Sequence, residues 1–238
     1  MTAGDSRYGG AGTAVNRFGQ PVGPSLSEWT SPEPPTPIDA RGRTCHVVDF
    51  DVEAHTEPLF EAYSVDDGSS FTYLPFEQPA SPAELAAVIG AMNAPSNQSV
   101  CAILVDDRPL GMASFLRIDT TSGSVEVGGI CFSPALARTT AATEAMFLMA
   151  DHAFTLGYRR YEWKCDSLNE ASNAAALRLG FRFEGMFRNA LVYKGRSRNT
   201  NWLSILDTEW PERRAALVEW LDPSNFDNEG HQRRSLRR

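Results

Sequence analysis

The residue types best suited to chemistry lie where a predicted strand runs into a long predicted helix, in residues 128–144. Small side chains form the loop between the two elements. The first turn of such a helix presents backbone N–H groups without intrahelical acceptors, at the positive end of the helix dipole. Arg138 adds a positive charge, and the small residues 139–142 let a phosphate approach the backbone. The junction indicates an anion site, with an ordinary core helix as the alternative.

A second set of residues with chemical potential is the segment 169–181. Asn169 is placed to cap a short helix, three alanines follow at 174–176, and Gly180 is placed to end it. Alanines permit close approach of the backbone to a neighbouring strand or to a narrow ligand. The segment alone does not separate a tightly packed core helix from a ligand-binding one.

The elements that position these segments follow from the spacing of apolar residues. Ser81, Pro82 and Glu84 form a predicted capping box that starts a helix. We predict strands at 44–50, 99–105, 110–118, 125–132, 160–165, 181–191 and 201–206, and helices at 54–65, from 81 onward, and at 138–156, 170–179 and 211–221. An antiparallel meander followed by a strand–helix–strand crossover implies an α/β fold: a mixed, mostly antiparallel sheet with helices on both faces.

The two segments, about 30 residues apart, together resemble the GNAT acetyltransferase superfamily, in particular its branch of ribosomal-protein N-terminal alanine and serine acetyltransferases. Members carry a Gln/Arg-x-x-Gly-x-Gly/Ala loop followed by Thr-Glu-Ala, and later Asn-x-x-Ser followed after eight residues by Gly-Phe. Here residues 137–142 occupy the loop and 143–145 read Thr-Glu-Ala. The second motif is matched at full spacing by Asn169, Ser172, Gly180 and Phe181.

The chain departs from the family pattern at three positions. Ala137 stands where Gln or Arg is usual, and Thr140 stands where Gly is usual. Ala176 occupies the position at which many relatives have a tyrosine, so a tyrosine general acid is absent there. The anion site would then act through backbone N–H groups, with Arg138 replacing the lost charge.

The resemblance implies a GNAT-like acyl-CoA N-acyltransferase fold whose sheet splays at the cofactor site. We expect three regions: a Pro/Gly-rich N-terminal arm in residues 1–40, an acetyltransferase domain in 41–210, and a C-terminal helix with an Arg-rich tail in 211–238. The implied cosubstrate is acetyl-CoA, without a metal. The residues expected to bind it are Ile130, Phe132, Arg138, Thr139, Thr140, Ala141, Ala142, Thr143, Asn169 and Ser172.

The implied reaction is direct attack of a primary amine on the acetyl-CoA thioester. An α-amine, with a pKa near 7.7–8.0, loses its proton more easily than lysine, near 10.4, so a modest base suffices. Our candidate base is Glu126, with an outward-facing structural carboxylate as the alternative; Glu184 and Asp166 are the substitutes. Ser172 is a candidate proton donor to the leaving thiolate, or only a contact to the cofactor.

The acceptor is the least determined part of the prediction. It is either a protein N-terminus or a small-molecule amine, and the acidic chain favours a cationic one. Two tracts, residues 63–77 and 188–199, are expected to frame it, with Phe71, Tyr73 and Phe76 as candidate lining residues. A non-catalytic acyl-CoA-binding or regulatory module on the same fold is the alternative function. A homodimer is compatible with the sequence, which names no interface.

The composition of the chain limits the other partners that we expect and the cellular compartment. The 238 residues contain 22 Lys and Arg against 30 Asp and Glu, a formal net charge of −8, which disfavours nucleic acid as a partner. No apolar run approaches the ~18 residues that span a membrane. We therefore expect no membrane partner and a cytoplasmic location. The four scattered cysteines are expected to be buried, reduced and free of metal; they are Cys45, Cys101, Cys131 and Cys165.

Overall fold

The computed structural model describes residues 13–236. This part of the chain divides into two compact units, with the boundary between Thr30 and Ser31. In the first unit, strands β1 (Ala14–Val15) and β2 (Pro21–Val22) pair antiparallel. The predicted region boundaries near residues 40 and 210 stay predictions. The arm's first twelve residues and the last two residues of the Arg-rich tail lie outside the described part.

The second unit is built on one eight-stranded sheet. Its strands are β3 (Asp39–Arg41), β4 (His46–Asp49), β5 (Ser99–Val105), β6 (Arg108–Asp119), β7 (Ser124–Phe132), β8 (Arg160–Asp166), β9 (Arg182–Tyr193) and β10 (Arg196–Leu206). They lie in the order β3-β4-β5-β6-β7-β8-β10-β9. All neighbours are antiparallel except β7 and β8, which are parallel. The predicted mixed sheet is confirmed.

Helices cover both faces of this sheet, as predicted. They are α1 (Val52–Tyr63), α2 (Pro82–Asn93), α3 (Thr140–Thr155), α4 (Glu170–Arg178) and α5 (Trp210–Leu221). Successive side chains of β5 point to opposite faces of the sheet, so they pack in two different apolar clusters. Val100 and Ala102 pack with the apolar faces of α1 and α2, whereas Cys101 and Ile103 pack in a second cluster with α3 and α5. All four cysteines are free and buried.

Local capping explains where the structure differs from the predicted bounds. Helix α3 begins at Thr140 and not at Arg138, because Arg138 adopts a positive φ of 65° and the Thr139 side chain caps the helix. At α2, Ser81 accepts a hydrogen bond from the Glu84 backbone as predicted, but the Glu84 carboxylate accepts from Ala80. The short strand β3 was missed, and β10 begins five residues before its predicted start. No helix within residues 13–236 has the length and apolar character needed to cross a bilayer.

Candidate active site

The central feature of the site is a split in the sheet between β7 and β8. These parallel strands pair only where residues 124–127 face residues 160–163, and then they separate. The edge of β7 that faces the split, from Gly128 to Phe132, therefore has backbone groups without a partner strand among the described residues. Buried backbone groups require partners, so this edge is suited to hydrogen bonding an extended ligand.

A β-bulge at Gly129 shapes this edge. The pairing of β6 with β7 shifts between Met112 and Ser114, and Gly129 has a φ of +57°. Beyond the bulge, the buried Tyr63 hydroxyl donates a 2.8 Å hydrogen bond to the carbonyl of Cys131. The bulge and this hydrogen bond together hold the end of β7 in place.

Replacement of the glycine at the bulge is expected to destabilise the fold. In Gly129→Ala the left-handed backbone disfavours an L-residue by about 1–2 kcal/mol. The new Cβ would also lie 2.6 Å from Met92 Cε and 3.1 Å from Ser114 Oγ. Urea denaturation should show a loss of about that size. Gly185→Ala is the control, because its Cβ would meet no atom within 4 Å; equal stability of the two variants would contradict the prediction.

Two cavities flank the split, and the side chain of Trp163 lines both of them. The first has a volume of about 560 Å³ and lies beside residues 126–130 of β7. The second, of about 670 Å³, lies at the N-terminus of α3. The shared tryptophan places the two cavities next to each other, so one long ligand can occupy both.

The second cavity contains the predicted anion site. Thr139 Oγ1 accepts the N–H of Ala142, which leaves the N–H groups of Thr140 and Ala141 as helix-end donors. The predicted cofactor residues that line this cavity are Phe132, Arg138, Thr139, Thr140, Ala142 and Thr143. The side chain of Ala141 is buried outside this lining. Ala141 can therefore contact a ligand in this cavity through its backbone N–H and not through its side chain.

The first cavity brings together the remaining predicted residues, Glu126, Ile130, Asn169 and Ser172. Asn169 caps α4 by accepting the N–H of Ser172 at 3.0 Å. The Trp163 indole N–H donates to Ser172 Oγ at 3.0 Å, a hydrogen bond that does not use the serine hydroxyl proton. The Ser172 hydroxyl also hydrogen bonds with Cys165. The second motif therefore orients Ser172 in the first cavity, beside Trp163, which lines both cavities.

Glu126 lies in a buried charge cluster that the sequence analysis did not foresee. Its Oε2 is 2.5 Å from Lys164 Nζ and 3.4 Å from Arg117 Nε. Lys164 Nζ also lies 3.2 Å from Glu162 and 3.7 Å from the ring centroid of Trp202. Glu126 lines the first cavity, whereas Glu162 does not. The carboxylate of Glu126 therefore faces the split and is not an outward-facing surface group.

The pKa values of the two buried carboxyls of this cluster are shifted in opposite directions. Burial raises the pKa of Glu126 above its usual range, and the charge and hydrogen bond of Lys164 oppose the rise. Burial acts on Glu162 in the same direction, yet the hydrogen bond from Arg160 and the charge of Lys164 outweigh it and lower its pKa. A carboxylate with a raised pKa is the better proton acceptor near neutral pH.

The two substitute bases are placed differently. Glu184 accepts a bidentate pair from Arg160 at 2.6 and 2.8 Å and a hydrogen bond from Ser204, and it lines neither cavity. Asp166 does line the first cavity, but its two oxygens accept from the Tyr193 hydroxyl and the Leu168 N–H. Both carboxylates are therefore committed to structural contacts.

The tracts predicted to frame the acceptor do line the first cavity. Tyr73 and Phe76 contribute from the first tract, and Leu191 and Arg198 from the second. Phe71, by contrast, is buried in the core beneath α1 and does not line the cavity. Its neighbours are Tyr63 and Phe76, each in an edge-on ring contact.

Several site residues carried no sequence signal. Lys164 and Trp202 lie on neighbouring strands β8 and β10, directly opposite each other, and only strand pairing brings them to Glu126. A wall of the second cavity comes from residues after position 219: Trp220, Phe226, Gly230, His231 and Gln232. Because alternate residues of a strand share a face, the sequence of β8 alone could have placed Lys164 on the same face as Glu162. Nothing in the sequence pairs the C-terminal residues with α3.

A mixed sheet that splits beside a helix N-terminus, with a long cavity along the split, defines an acyltransferase of the GNAT class. Sequence comparison agrees: residues 49–182 match the model of the acetyltransferase (GNAT) domain. The chain belongs to the GNAT acetyltransferase family. None of the curated proteins matches it.

Solved structures of similar proteins support the same assignment. A GCN5-related N-acetyltransferase from Brucella melitensis has 39% identity and a TM-score of 0.85, covering 89% of this chain and 97% of that chain. A probable GNAT-family acetyltransferase from Chromobacterium violaceum has 37% identity and a TM-score of 0.77, covering 81% and 98%. RimL, a ribosomal L7/L12 alpha-N-protein acetyltransferase solved with coenzyme A, shares the fold at 19% identity and a TM-score of 0.61, covering 69% and 95%.

Proposed function

We propose that this protein transfers the acetyl group of acetyl-CoA to a primary amine, by direct attack of the amine in a ternary complex. The observation that carries the proposal is the position of Glu126. This buried carboxylate, with a raised pKa, faces the cavity along the free edge of β7. The adjoining cavity offers helix N-terminal donors for phosphate. The residues that we assign to the base and to phosphate binding therefore line two adjoining cavities along the split.

The residues present fit acetyl-CoA. Its diphosphate is assigned to the N–H groups of Thr140 and Ala141 and to the Arg138 side chain. Its pantetheine arm is assigned to the backbone of residues 128–132, which can pair with it as a strand would. Bound there, acetyl-CoA supplies an activated thioester carbonyl. Thr140, in place of the usual glycine, is accommodated at the first helical position of α3.

Glu126 is assigned the removal of the ammonium proton, directly or through a water molecule. The backbone N–H groups beside the bulge are assigned the stabilisation of negative charge on the carbonyl oxygen during attack. Ser172 Oγ is assigned the delivery of a proton to the departing thiolate, and it recovers a proton from water in the same step, so that no serine alkoxide is left. Ala176 is fully buried where many relatives have a tyrosine, so we assign this role to Ser172, whose Oγ is held by the Trp163 indole N–H.

Removal of the Ser172 hydroxyl tests that assignment. In Ser172→Ala we expect kcat to fall by about 10²-fold, the low end for a general acid, with little change in the dissociation constant of CoA. Steady-state thiol release gives the first quantity and calorimetry the second. Ser70→Ala, in the wall of the same cavity, is the control. A tenfold weaker affinity for CoA with kcat unchanged would show that Ser172 is only a binding contact.

The acceptor is proposed to be a protein N-terminus or a small-molecule amine. The first cavity is walled by aromatic rings, among them Tyr73, Phe76, Phe187 and Trp202. Its charged lining groups are two carboxylates and three cations: Glu126, Asp166, Arg117, Lys164 and Arg198. The net charge of the chain therefore does not set the charge of the acceptor pocket. The aromatic lining favours an acceptor that carries an apolar group next to its amine.

The proposed function is tested by thiol release from acetyl-CoA with a panel of amines. The panel should contain short peptides with free or blocked N-termini, polyamines and aminoglycosides. Turnover with any free amine, lost on blocking that amine, supports the proposal. Binding of CoA without turnover across the panel would favour the non-catalytic module. Absence of CoA binding up to millimolar concentrations would reject both functions.

A further inference from the structure

One wall of the second cavity comes from a part of the chain remote from both family motifs. This C-terminal wall consists of Trp220, Phe226, Gly230, His231 and Gln232. It lies across the cavity from the N-terminus of α3, the site assigned to the diphosphate. Residues 226–232 fall outside the matched acetyltransferase model, which ends at residue 182.

The C-terminal wall is a folded structure. Phe226 and Gln232 form an isolated antiparallel bridge, and the turn between them is closed by a 3.0 Å hydrogen bond from Gly230 N–H to the Asp227 carbonyl. Trp220 Nε1 donates to Gln232 Oε1 at 2.8 Å. The Trp220 and Phe226 rings meet edge-on at 5.2 Å. These contacts therefore fix the position of an aromatic surface that faces the cavity.

Arg178 connects this wall with the first turn of α3. Its Nη1 donates to Thr143 Oγ1 at 3.1 Å, and its guanidinium lies 4.7 Å from the centroid of the Trp220 ring. Burial lowers the pKa of Arg178, a direction that reflects the partly desolvated position of this cation. A cation and an aromatic wall thus lie directly beyond the assigned diphosphate site.

We infer that the C-terminal wall recognises the adenosine end of the cosubstrate, with the His231 ring and Phe226 packing on the base. This inference rests on the proposed function. A molecule that places its acetyl group by Glu126 and its diphosphate at α3 must continue into the remaining part of the second cavity. There the available surface is aromatic and cationic, which suits a purine ring and a phosphate.

The test compares CoA with 4′-phosphopantetheine, which lacks the adenosine 3′,5′-bisphosphate part. His231 is exposed at the cavity edge, so His231→Ala should leave the fold intact. We expect it to weaken CoA about tenfold, ~1.4 kcal/mol, and to leave the affinity for 4′-phosphopantetheine within twofold. Asn228→Ala, an exposed residue of the same turn that lines neither cavity, should change neither affinity.

Hydrogen exchange gives a readout that needs no variant. CoA should slow amide exchange in residues 226–232, and 4′-phosphopantetheine should not. Equal protection by both ligands, no protection by CoA, or equal weakening of both ligands in His231→Ala would overturn the inference while leaving the proposed function in place. Failure of the native chain to bind either ligand would instead reject the proposed function, and the inference with it.

Discussion

Glu126→Gln is expected to lower kcat by about 10²–10⁴-fold, the range for loss of a general base. The glutamine keeps the shape of the side chain and a hydrogen bond to Lys164, but it cannot take up the ammonium proton. Lys164 retains a carboxylate partner in Glu162, 3.2 Å away, so the variant should fold. Calorimetry should show unchanged CoA affinity, because CoA is assigned to the backbone of residues 128–132 and to the N-terminus of α3, and the substitution alters neither.

Glu162→Gln is the matched control for this experiment. Both glutamates are equally buried and both contact Lys164 Nζ. Only Glu126 lines the cavity. Both variants therefore lose a carboxylate from the cluster, but only Glu126→Gln loses the proposed base. We expect kcat of Glu162→Gln to stay within a few-fold of the native value; an equal fall in the two variants would assign Glu126 a structural role.

The pH profile of the native enzyme provides an independent check. The base must be deprotonated to act, so kcat/KM should decline as the pH falls through the pKa of Glu126. Because burial raises that pKa above the usual range of a carboxyl group, the decline should begin at a higher pH than for an exposed glutamate. Glu126→Gln should remove this limb of the profile, and a profile identical to that of the native enzyme would contradict the assignment.

Lys164→Met is expected to have the largest effect on stability. Lys164 is the cation shared by two buried carboxylates, and removal of one partner from a buried ion pair costs about 3–5 kcal/mol. Arg117 remains beside both carboxylates but is more than half exposed, so we expect a loss near the lower end of that range. Urea denaturation at neutral pH measures it.

The loss in Lys164→Met should depend on pH in a defined direction. Without Lys164, nothing on β8 opposes the effect of burial on Glu126, so its folded-state pKa should rise further above its unfolded value. The folded state then holds a proton that the unfolded state releases, and the free energy of unfolding falls as pH rises between the two pKa values. The variant should therefore be closest to the native stability at mildly acidic pH.

Lys194→Met is the control for the stability experiment. Lys194 is also partly buried and pairs with Glu77 at 3.0 Å, but Glu77 is largely exposed. Such a pair contributes at most about 1 kcal/mol. A similar loss in both lysine variants, or a loss in Lys164→Met that is the same at acidic and neutral pH, would contradict the role assigned to the buried cluster.

Local sequence determined most of the fold. The continuous apolar run of β5 and the spacing of apolar residues in α3 report on burial directly, and the cap residues Ser81 and Asn169 act on their own helices, so these elements were predictable. The candidate phosphate site follows from local sequence for the same reason: helix N-terminal donors and small side chains are adjacent in the chain. The motif at Asn169 and Ser172 likewise lies within one helical turn.

What the sequence by itself determined is thus the family fold; it also supplied the candidate anion site at α3 and the candidate base. The tertiary structure alone decided that Glu126 faces the split, that Lys164 and Trp202 contact it, and that residues near the C-terminus wall the second cavity. Lys164 reaches Glu126 across a parallel strand pair and Trp202 follows from the register of β10. Such contacts depend on which strands become neighbours, and that is set by packing of the whole sheet and not by any local pattern.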